Sequence, residues 1–182
     1  MDDIVKAAMA KWPHVPCCYG WLALDARGQW WMRDERCQAA GPFAGEGASA
    51  SSRGARLEHD KLVAFIGRNY DHDEHGCWYF QNGPQRVYVE LELTPWVWRM
   101  EPSGQMLTHT GESVRIDTWC VDEMGRLLGK SELGWGVLHS MDMVRWAAQE
   151  PLPSVQDVRW ADWYAQAGYE ASPQTFNQQT KT

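Results

Sequence analysis

The sequence predicts an α+β protein made of repeated β-hairpin and helix motifs, on three observations. Polar and apolar residues alternate in segment 86–93, the pattern of a strand with one buried face. Apolar residues recur at helical spacing in segment 57–70. An Asp-x-x-Gly turn, with a hydrophobic residue two places after the glycine, occurs at Asp25/Gly28, Asp73/Gly76 and Asp122/Gly125. We therefore expect an internal repeat that forms two small packed β-rich units, with additional N- and C-terminal helices.

The first unit is predicted to span residues 19–99, after a helix and a proline-rich lead-in in residues 1–18. Segment 20–33 reads as a hairpin around the first Asp-x-x-Gly turn. Segment 38–56 is rich in Gly, Ala and Ser, so it buries too little apolar surface to offset its chain entropy. We expect it to be a flexible loop that leads into a helix at 57–70.

The second hairpin of that unit joins strands at 77–81 and 86–93 through Asn82-Gly83-Pro84. Alternation in the later strand divides its side chains between two faces. Val87, Val89, Leu91 and Leu93 are predicted to face the core, and Tyr88, Glu90 and Glu92 are predicted to face water.

A second β-rich unit with a helix is predicted at 105–149. Residues 150–182 are predicted to form a C-terminal helix and a polar tail. Ser154 opens a capping-box pattern, and Gly168 suits the C-cap of the helix that follows it.

Composition limits the partners and the compartment. The 182 residues carry a formal charge of −7 without a long basic run, so we expect no nucleic-acid partner, because phosphate binding needs clustered Lys and Arg. The five cysteines form no Cys-x-x-Cys pair, and we find neither a signal-peptide pattern nor an apolar run of about 18 residues. These features predict a cytoplasmic protein with free thiols and no membrane contact.

Twelve tryptophans are the outlying feature of the composition. Burying one ring removes about 150–250 Å² from water, so tryptophans can build a core from few positions. The alternative is an exposed aromatic platform for a sugar, a base or a peptide.

Several motifs resemble the proteobacterial family called domain of unknown function 1285, or a sister family of it. They are Gly20-Trp21-Leu22-Ala23-Leu24-Asp25 with Gly28-Gln29-Trp30, Leu62-Val63 with Ile66, Asp73-Glu74-His75-Gly76 before Tyr79-Phe80, and Pro84-Gln85-Arg86-Val87-Tyr88-Val89-Glu90 running to Pro95-Trp96. The resemblance implies a fold of repeated hairpin and helix motifs without an established activity. It supplies no catalytic residues, and the signalling or regulatory role suggested for such proteins rests on analogy.

One candidate site is the turn from Asp71 to Cys77, where His and carboxylate side chains suit zinc or a related metal. The alternative is a solvated turn, because His-x-x-His in a turn does not align two rings as helical spacing would. The candidate ligands are His72, Asp73, His75 and Cys77.

A second candidate is a groove or aromatic face near residues 78–98. Gln85, Arg86 and Tyr88 lie beside the Asn-Gly-Pro turn, where they could bind an anionic small molecule or form an ordinary surface patch. The predicted ligand-binding residues are Tyr79, Gln81, Gln85, Arg86, Tyr88 and Trp96.

The absence of a Gly-x-Ser-x-Gly motif or a recognisable triad favours a cytoplasmic, non-enzymatic binding or regulatory module over an enzyme. We expect a small-molecule or protein partner, and the sequence predicts no cofactor. The alternatives are a small metal-dependent hydrolase that uses the Asp71–Cys77 turn and a structural interaction protein that forms a homodimer.

Overall fold

A six-stranded sheet and a seven-stranded sheet form the framework of the computed structural model, which describes residues 1–180. Short helices accompany both sheets, which confirms the predicted α+β class. The helices are α1 (Asp3–Lys11), α2 (Glu35–Ala39), α3 (Ala50–Arg53), α4 (Asp60–Arg68), α5 (Met143–Ala147), α6 (Trp160–Tyr164) and α7 (Pro173–Gln179), with a 3-10 turn at Ser140–Asp142. No helix in this described range is long and apolar enough to cross a membrane.

The strands fall into two sets that follow each other along the chain. The strands of the first sheet are β1 (Cys18–Leu24), β2 (Trp30–Met32), β3 (Ala55–Arg56), β4 (Tyr70–His72), β5 (Trp78–Asn82) and β6 (Gln85–Leu91). The strands of the second sheet are β7 (Trp96–Met100), β8 (Met106–Thr108), β9 (Ser113–Val114), β10 (Ile116–Val121), β11 (Leu127–Ser131), β12 (Gly134–Leu138) and β13 (Val155–Asp157).

The second sheet repeats the topology of the first strand by strand. The first sheet has the order β3-β2-β1-β6-β5-β4, and the second has β9-β8-β7-β12-β11-β10, with β13 added beside β10. In both sheets the two central strands, β1 with β6 and β7 with β12, pair in parallel. The neighbouring hairpin pairs are antiparallel. Each strand of the first sheet therefore has its counterpart six strands later.

Turns also correspond between the two copies. The connection between β7 and β8 occupies the place of the Asp25–Gly28 turn, and it has glutamate as its first residue. Glu101 N donates to the Gln105 carbonyl at 2.9 Å, and Gly104 has a φ of +86°, which glycine adopts without strain. The structure thus contains a fourth copy of the turn that an Asp-x-x-Gly pattern does not detect.

The described residues form two compact units. The first comprises Met1–Asp25, Gln29–Glu92 and the described residues from Tyr169 onward, and the second comprises Ala26–Gly28 and Leu93–Gly168. Strand β7, which we expected to close the first unit at residue 99, pairs inside the second sheet. The start of the second copy was hidden because Thr94-Pro95 resembles an interruption within one strand.

Segment 38–56 differs from the flexible loop that we expected, because it contains α3 and β3 and is attached to a buried arginine. Arg33, which is 1% exposed, donates to the carbonyl oxygens of Ser52, Cys37 and Gly41, besides that of Gly20. One guanidinium group therefore supplies the hydrogen bonds that a segment poor in apolar residues needs.

The face of β6 that we expected to face water is largely covered. Tyr88 and Glu90 are buried, and only Glu92 stays partly accessible. The residues that cover this strand come from the C-terminal part of the chain. Leu91 N donates to the Ala171 carbonyl at 2.8 Å, and Glu90 accepts hydrogen bonds from Ser172 Oγ at 2.6 Å and Gln174 N at 3.0 Å. The predicted helix at 154–167 is replaced by β13 and α6, α7 follows, and the last two residues of the predicted polar tail lie outside the described range.

Most of the tryptophans belong to the cores, as the first of the two interpretations predicts. In the second unit Trp98 is fully buried and donates from Nε1 to the Gly129 carbonyl at 3.0 Å. A Cβ atom at Gly136 would lie 2.4 Å from the Trp98 ring, so glycine is required there for the ring to fit. Trp12 and Trp21 are more than a third exposed.

Candidate functional site

The Asp-x-x-Gly turns share one internal geometry. In each, Asp Oδ1 accepts a hydrogen bond from the backbone four residues later: Gln29 N at 2.9 Å, Cys77 N at 3.0 Å and Arg126 N at 2.9 Å. The glycines have φ values between +74° and +77°. This carboxylate oxygen therefore has a structural role in all three copies.

The three turns differ in the partner of the other carboxylate oxygen. Asp25 Oδ2 accepts from Trp31 Nε1 at 2.9 Å, and Asp122 Oδ2 accepts from Arg126 Nε. Asp73 Oδ2 accepts from the Tyr88 hydroxyl at 2.8 Å, and both of these residues line a cavity. The second turn is therefore the copy that combines its capping role with a place in a candidate site.

That cavity, which we call the tyrosine cavity, has a volume of about 220 Å³ and lies within the first unit. Its walls come from β1, the turn before β5, β6 and α7. The lining residues are Tyr19, Asp73, His75, Cys77, Tyr88, Pro173, Phe176, Asn177 and Thr180.

A pair of tyrosines forms one wall. Tyr19 and Tyr88 stack with ring centroids 4.5 Å apart and planes within 6°, and they come together because β1 and β6 pair in parallel. Tyr79 packs edge-on against Tyr88 from within the sheet. Burial, followed by the hydrogen bond to Asp73, raises the pKa of Tyr88, so its hydroxyl stays protonated as a donor.

Cys77 lies at the cavity wall but is not activated as a nucleophile. Its side chain is 3% exposed, and burial, with the negative charges of Asp73, Glu170 and Glu90, raises its pKa to about 12. The thiolate is the reactive form of cysteine, so the thiol is inert at neutral pH. A pairing of Cys77 with a histidine for nucleophilic catalysis does not fit this environment.

The candidate metal ligands do not converge, because their side chains contact different residues. His72 packs on the Trp78 ring and is not part of the cavity wall, whereas His75 packs on Phe176. Both Asp73 oxygens already accept hydrogen bonds from the protein. Among residues 1–180, no group of three or more His, Cys, Asp or Glu side chains could hold a metal ion.

The predicted ligand-binding residues separate in the same way, and of the six only Tyr88 lines the cavity. The Arg86 guanidinium lies 4.5 Å from the centre of the Tyr79 ring and is not among the residues that line the cavity. Gln81 is buried and donates to the Gly83 carbonyl at 2.9 Å, and Gln85 donates to the Pro16 carbonyl at 3.1 Å.

Two sets of site residues went unrecognised. Recognising Tyr19 as a site residue requires knowledge of the parallel β1–β6 pairing. The α7 residues were missed because they lie in a polar segment without an apolar stripe. Trp96, which we had assigned to the ligand site, lies in the second unit and donates from Nε1 to the Leu133 carbonyl at 2.9 Å.

The family model DUF2944, whose description is "Protein of unknown function (DUF2946)", matches residues 1–181. The chain belongs to this family. A solved structure similar to this DUF2944 chain is that of a DUF1285 family protein from Silicibacter pomeroyi DSS-3, with 12% identity and a TM-score of 0.46 over 80% of this chain and 82% of that one. The predicted resemblance to DUF1285, or to a sister family, is thereby confirmed. The comparison with curated proteins finds no match.

Proposed function

We propose that this DUF2944 chain is a cytoplasmic, non-enzymatic binding module that holds a small molecule in the tyrosine cavity. The observation that carries the proposal is the convergence of Tyr19, Tyr88, Asp73 and α7 on one concave space of about 220 Å³. Ligand sites combine apolar and aromatic walls with a few placed polar groups, and this cavity has that composition.

The lining favours a neutral or cationic ligand with a small aromatic or apolar body. Its ionisable side chains include Asp73, and it contains no Lys or Arg. Aromatic rings attract cations through their negative faces. An anion would meet the Asp73 carboxylate at the wall, and Arg86, which suggested an anionic ligand from the sequence, is not among the lining residues.

A binding role fits the state of the polar groups better than a catalytic one. The Cys77 thiol stays protonated, and both Asp73 oxygens are engaged by the turn and by Tyr88. Cys77 and Asp73 can position a ligand, because the protonated thiol is a poor nucleophile and the Asp73 oxygens hold the turn and the Tyr88 hydroxyl.

We also propose a regulatory role for the chain, which depends on the position of α7. Pro173, Phe176, Asn177 and Thr180 of α7 and its C-cap form one wall of the cavity. A ligand that contacts this wall stabilises the docked position of α7, which a protein partner can recognise as a change of state.

The test uses three phenols of similar size: p-cresol as the neutral probe, tyramine as the cation and 4-hydroxyphenylacetate as the anion. Binding is followed by NMR shift changes of the Tyr19, Cys77 and Asn177 amides. We expect p-cresol or tyramine to shift these amides and 4-hydroxyphenylacetate to bind most weakly.

Asn177→Trp is designed to fill the cavity and should abolish these shifts. The matched control is Gln178→Trp, at an exposed position of the same helix, which should leave them unchanged. If no probe moves the cavity amides, or if Asn177→Trp binds as the wild type does, the proposed site is wrong.

A further inference from the structure

A second concave site lies on the sheet of the second unit. Thr118, Lys130 and Trp135 are direct cross-strand neighbours on β10, β11 and β12, so their side chains share one face of the sheet. Trp163 of α6 packs edge-on against Trp135, with ring centroids 5.0 Å apart. A groove of about 630 Å³, which we call the tryptophan groove, lies between this face and α6.

The internal repeat relates this groove to the tyrosine cavity. In each unit we count cross-strand pairs from the hairpin turn. The Lys130–Trp135 pair is the second from its turn, as the Gln81–Arg86 pair is in the first unit. The groove therefore occupies the face equivalent to that of Tyr88. In each unit a helix C-terminal to the repeated strands, α6 or α7, completes the wall.

Charged side chains of both signs line the groove. Lys130 and Arg159 are cationic, and Asp157 and Asp162 are anionic. All four are exposed, and within residues 1–180 none of them forms an ion pair. Opposite charges that face one concave space without pairing with each other can orient a ligand that carries both charges.

We infer that the tryptophan groove binds a small zwitterion with an apolar side group, of the size of a dipeptide. Lys130 and Arg159 hold its carboxylate, Asp157 and Asp162 hold its ammonium group, and the apolar group contacts Trp135. A ligand with a single charge would leave one pair of groove charges unmatched. A neutral sugar would need an open face of the Trp135 ring to stack on. The Lys130 ammonium lies 5.6 Å from the centre of that ring, so we do not expect a sugar to stack there.

The probes are glycyl-leucine, its N-acetyl derivative, its C-terminal amide and the neutral disaccharide maltose, measured by isothermal titration calorimetry on the full chain. Each removed charge should weaken binding by about two- to fivefold, because ion pairs made by exposed side chains are weak. Maltose should not bind.

Paired substitutions assign the two ends of the ligand. Lys130→Met/Arg159→Met should weaken the binding of glycyl-leucine and remove the difference in affinity between that peptide and its C-terminal amide. Asp157→Asn/Asp162→Asn should remove the difference between the free and the N-acetyl peptide. Because these side chains are exposed, the variants should fold, and thermal unfolding verifies this.

Lys61→Met/Arg36→Met changes the net charge equally at exposed positions of the first unit and should leave binding unchanged. The inference is overturned if glycyl-leucine does not bind, or if the capped peptides bind as tightly as the free peptide. It is also overturned if maltose binds with an affinity that the charge substitutions leave unchanged. The tyrosine cavity shares no residue with this groove, so each result stands apart from the test of the proposed function.

Discussion

At the scale of single residues, the environment of an ionisable group determines its chemistry more than its type does. Cys77 follows a turn rich in acids and histidines, and by residue type it looks reactive. In the fold it is buried beside Asp73, and its carboxylate neighbours oppose formation of a thiolate. The side chain therefore lines a cavity as a protonated thiol and is not activated as a nucleophile.

We predict that iodoacetamide modifies Cys77 far more slowly than the exposed Cys17. With a pKa of about 12, the thiolate fraction of Cys77 at pH 8 is about 10⁻⁴, against about a quarter for an ordinary cysteine. The expected ratio of rates, measured by mass spectrometry of the labelled peptides, is about a thousandfold. In urea the two rates should become similar, and similar rates in the folded protein would contradict the assigned environment.

Glu90 provides a pH-dependent prediction. Burial raises its pKa against the opposing effects of Ser172, Gln174 N and the Arg33 charge. The folded state therefore binds this proton more tightly than the unfolded state, so the stability that Glu90 contributes is complete below its ordinary pKa. It is lost as the pH rises through the raised value.

The Glu90→Gln variant should remove this dependence, since an amide keeps an acceptor oxygen without a titrating proton. The free energy of unfolding of the wild type, relative to the variant, should fall as the pH rises from about 4 towards neutrality. Urea denaturation over this range measures the difference. A difference that is constant, or that grows with pH, would show that Glu90 is not held as the structure describes.

At the scale of elements, a single buried side chain organises a stretch that composition alone would leave disordered. Replacing Arg33 with Met should cost about 2–4 kcal/mol, because each buried carbonyl left without a donor costs about 1–3 kcal/mol. Amides in segment 41–54 should exchange with deuterium faster than in the wild type. Arg36→Met, on the exposed side of α2, should change stability by less than about 0.5 kcal/mol. Equal effects of the two variants would refute this role of Arg33.

Local features could be predicted from the sequence, and non-local ones could not. The Asp-x-x-Gly turns, α1, α4 and the strand at 86–93 follow from spacings within a few residues. The parallel contact of β1 with β6 joins segments that are far apart in sequence, and no residue pattern reports it. Of the residues that line the cavity, Tyr88 was predicted as ligand-binding and Asp73, His75 and Cys77 as metal ligands, whereas Tyr19 depended on that pairing.

The fourth turn shows a further limit of pattern reading. Glu101 takes the place of the aspartate, and Ser103 Oγ accepts the hydrogen bond from Gln105 N at 3.3 Å. Backbone geometry is retained while the residue pattern changes, so the repeat is more regular in the structure than in the sequence.

At the scale of the whole molecule, the chain returns to the first unit after completing the second. Glu170 N donates to the Gly76 carbonyl at 3.0 Å, and the residues that follow cover β6. Residues far apart in sequence thus complete one tertiary unit, while the second unit consists mainly of one continuous segment, 93–168.

A chain that ends at Gly168 should therefore lose stability unevenly. We expect faster hydrogen exchange of amides in β5 and β6, because the bonds to Gly76, Leu91 and Glu90 are gone, and unchanged exchange in β10, β11 and β12. Hydrogen exchange with mass spectrometry measures both regions in one experiment. An equal loss of protection in both sheets would contradict this division.

The return of the chain to the first unit also orders events during synthesis. Residues leave the ribosome from the N-terminus, so all strands of the first sheet emerge before the segment that covers Tyr88 and Glu90. The second unit can complete its continuous segment while the first still exposes these side chains. The unit that is made first is therefore completed last, once the C-terminal segment has covered these side chains.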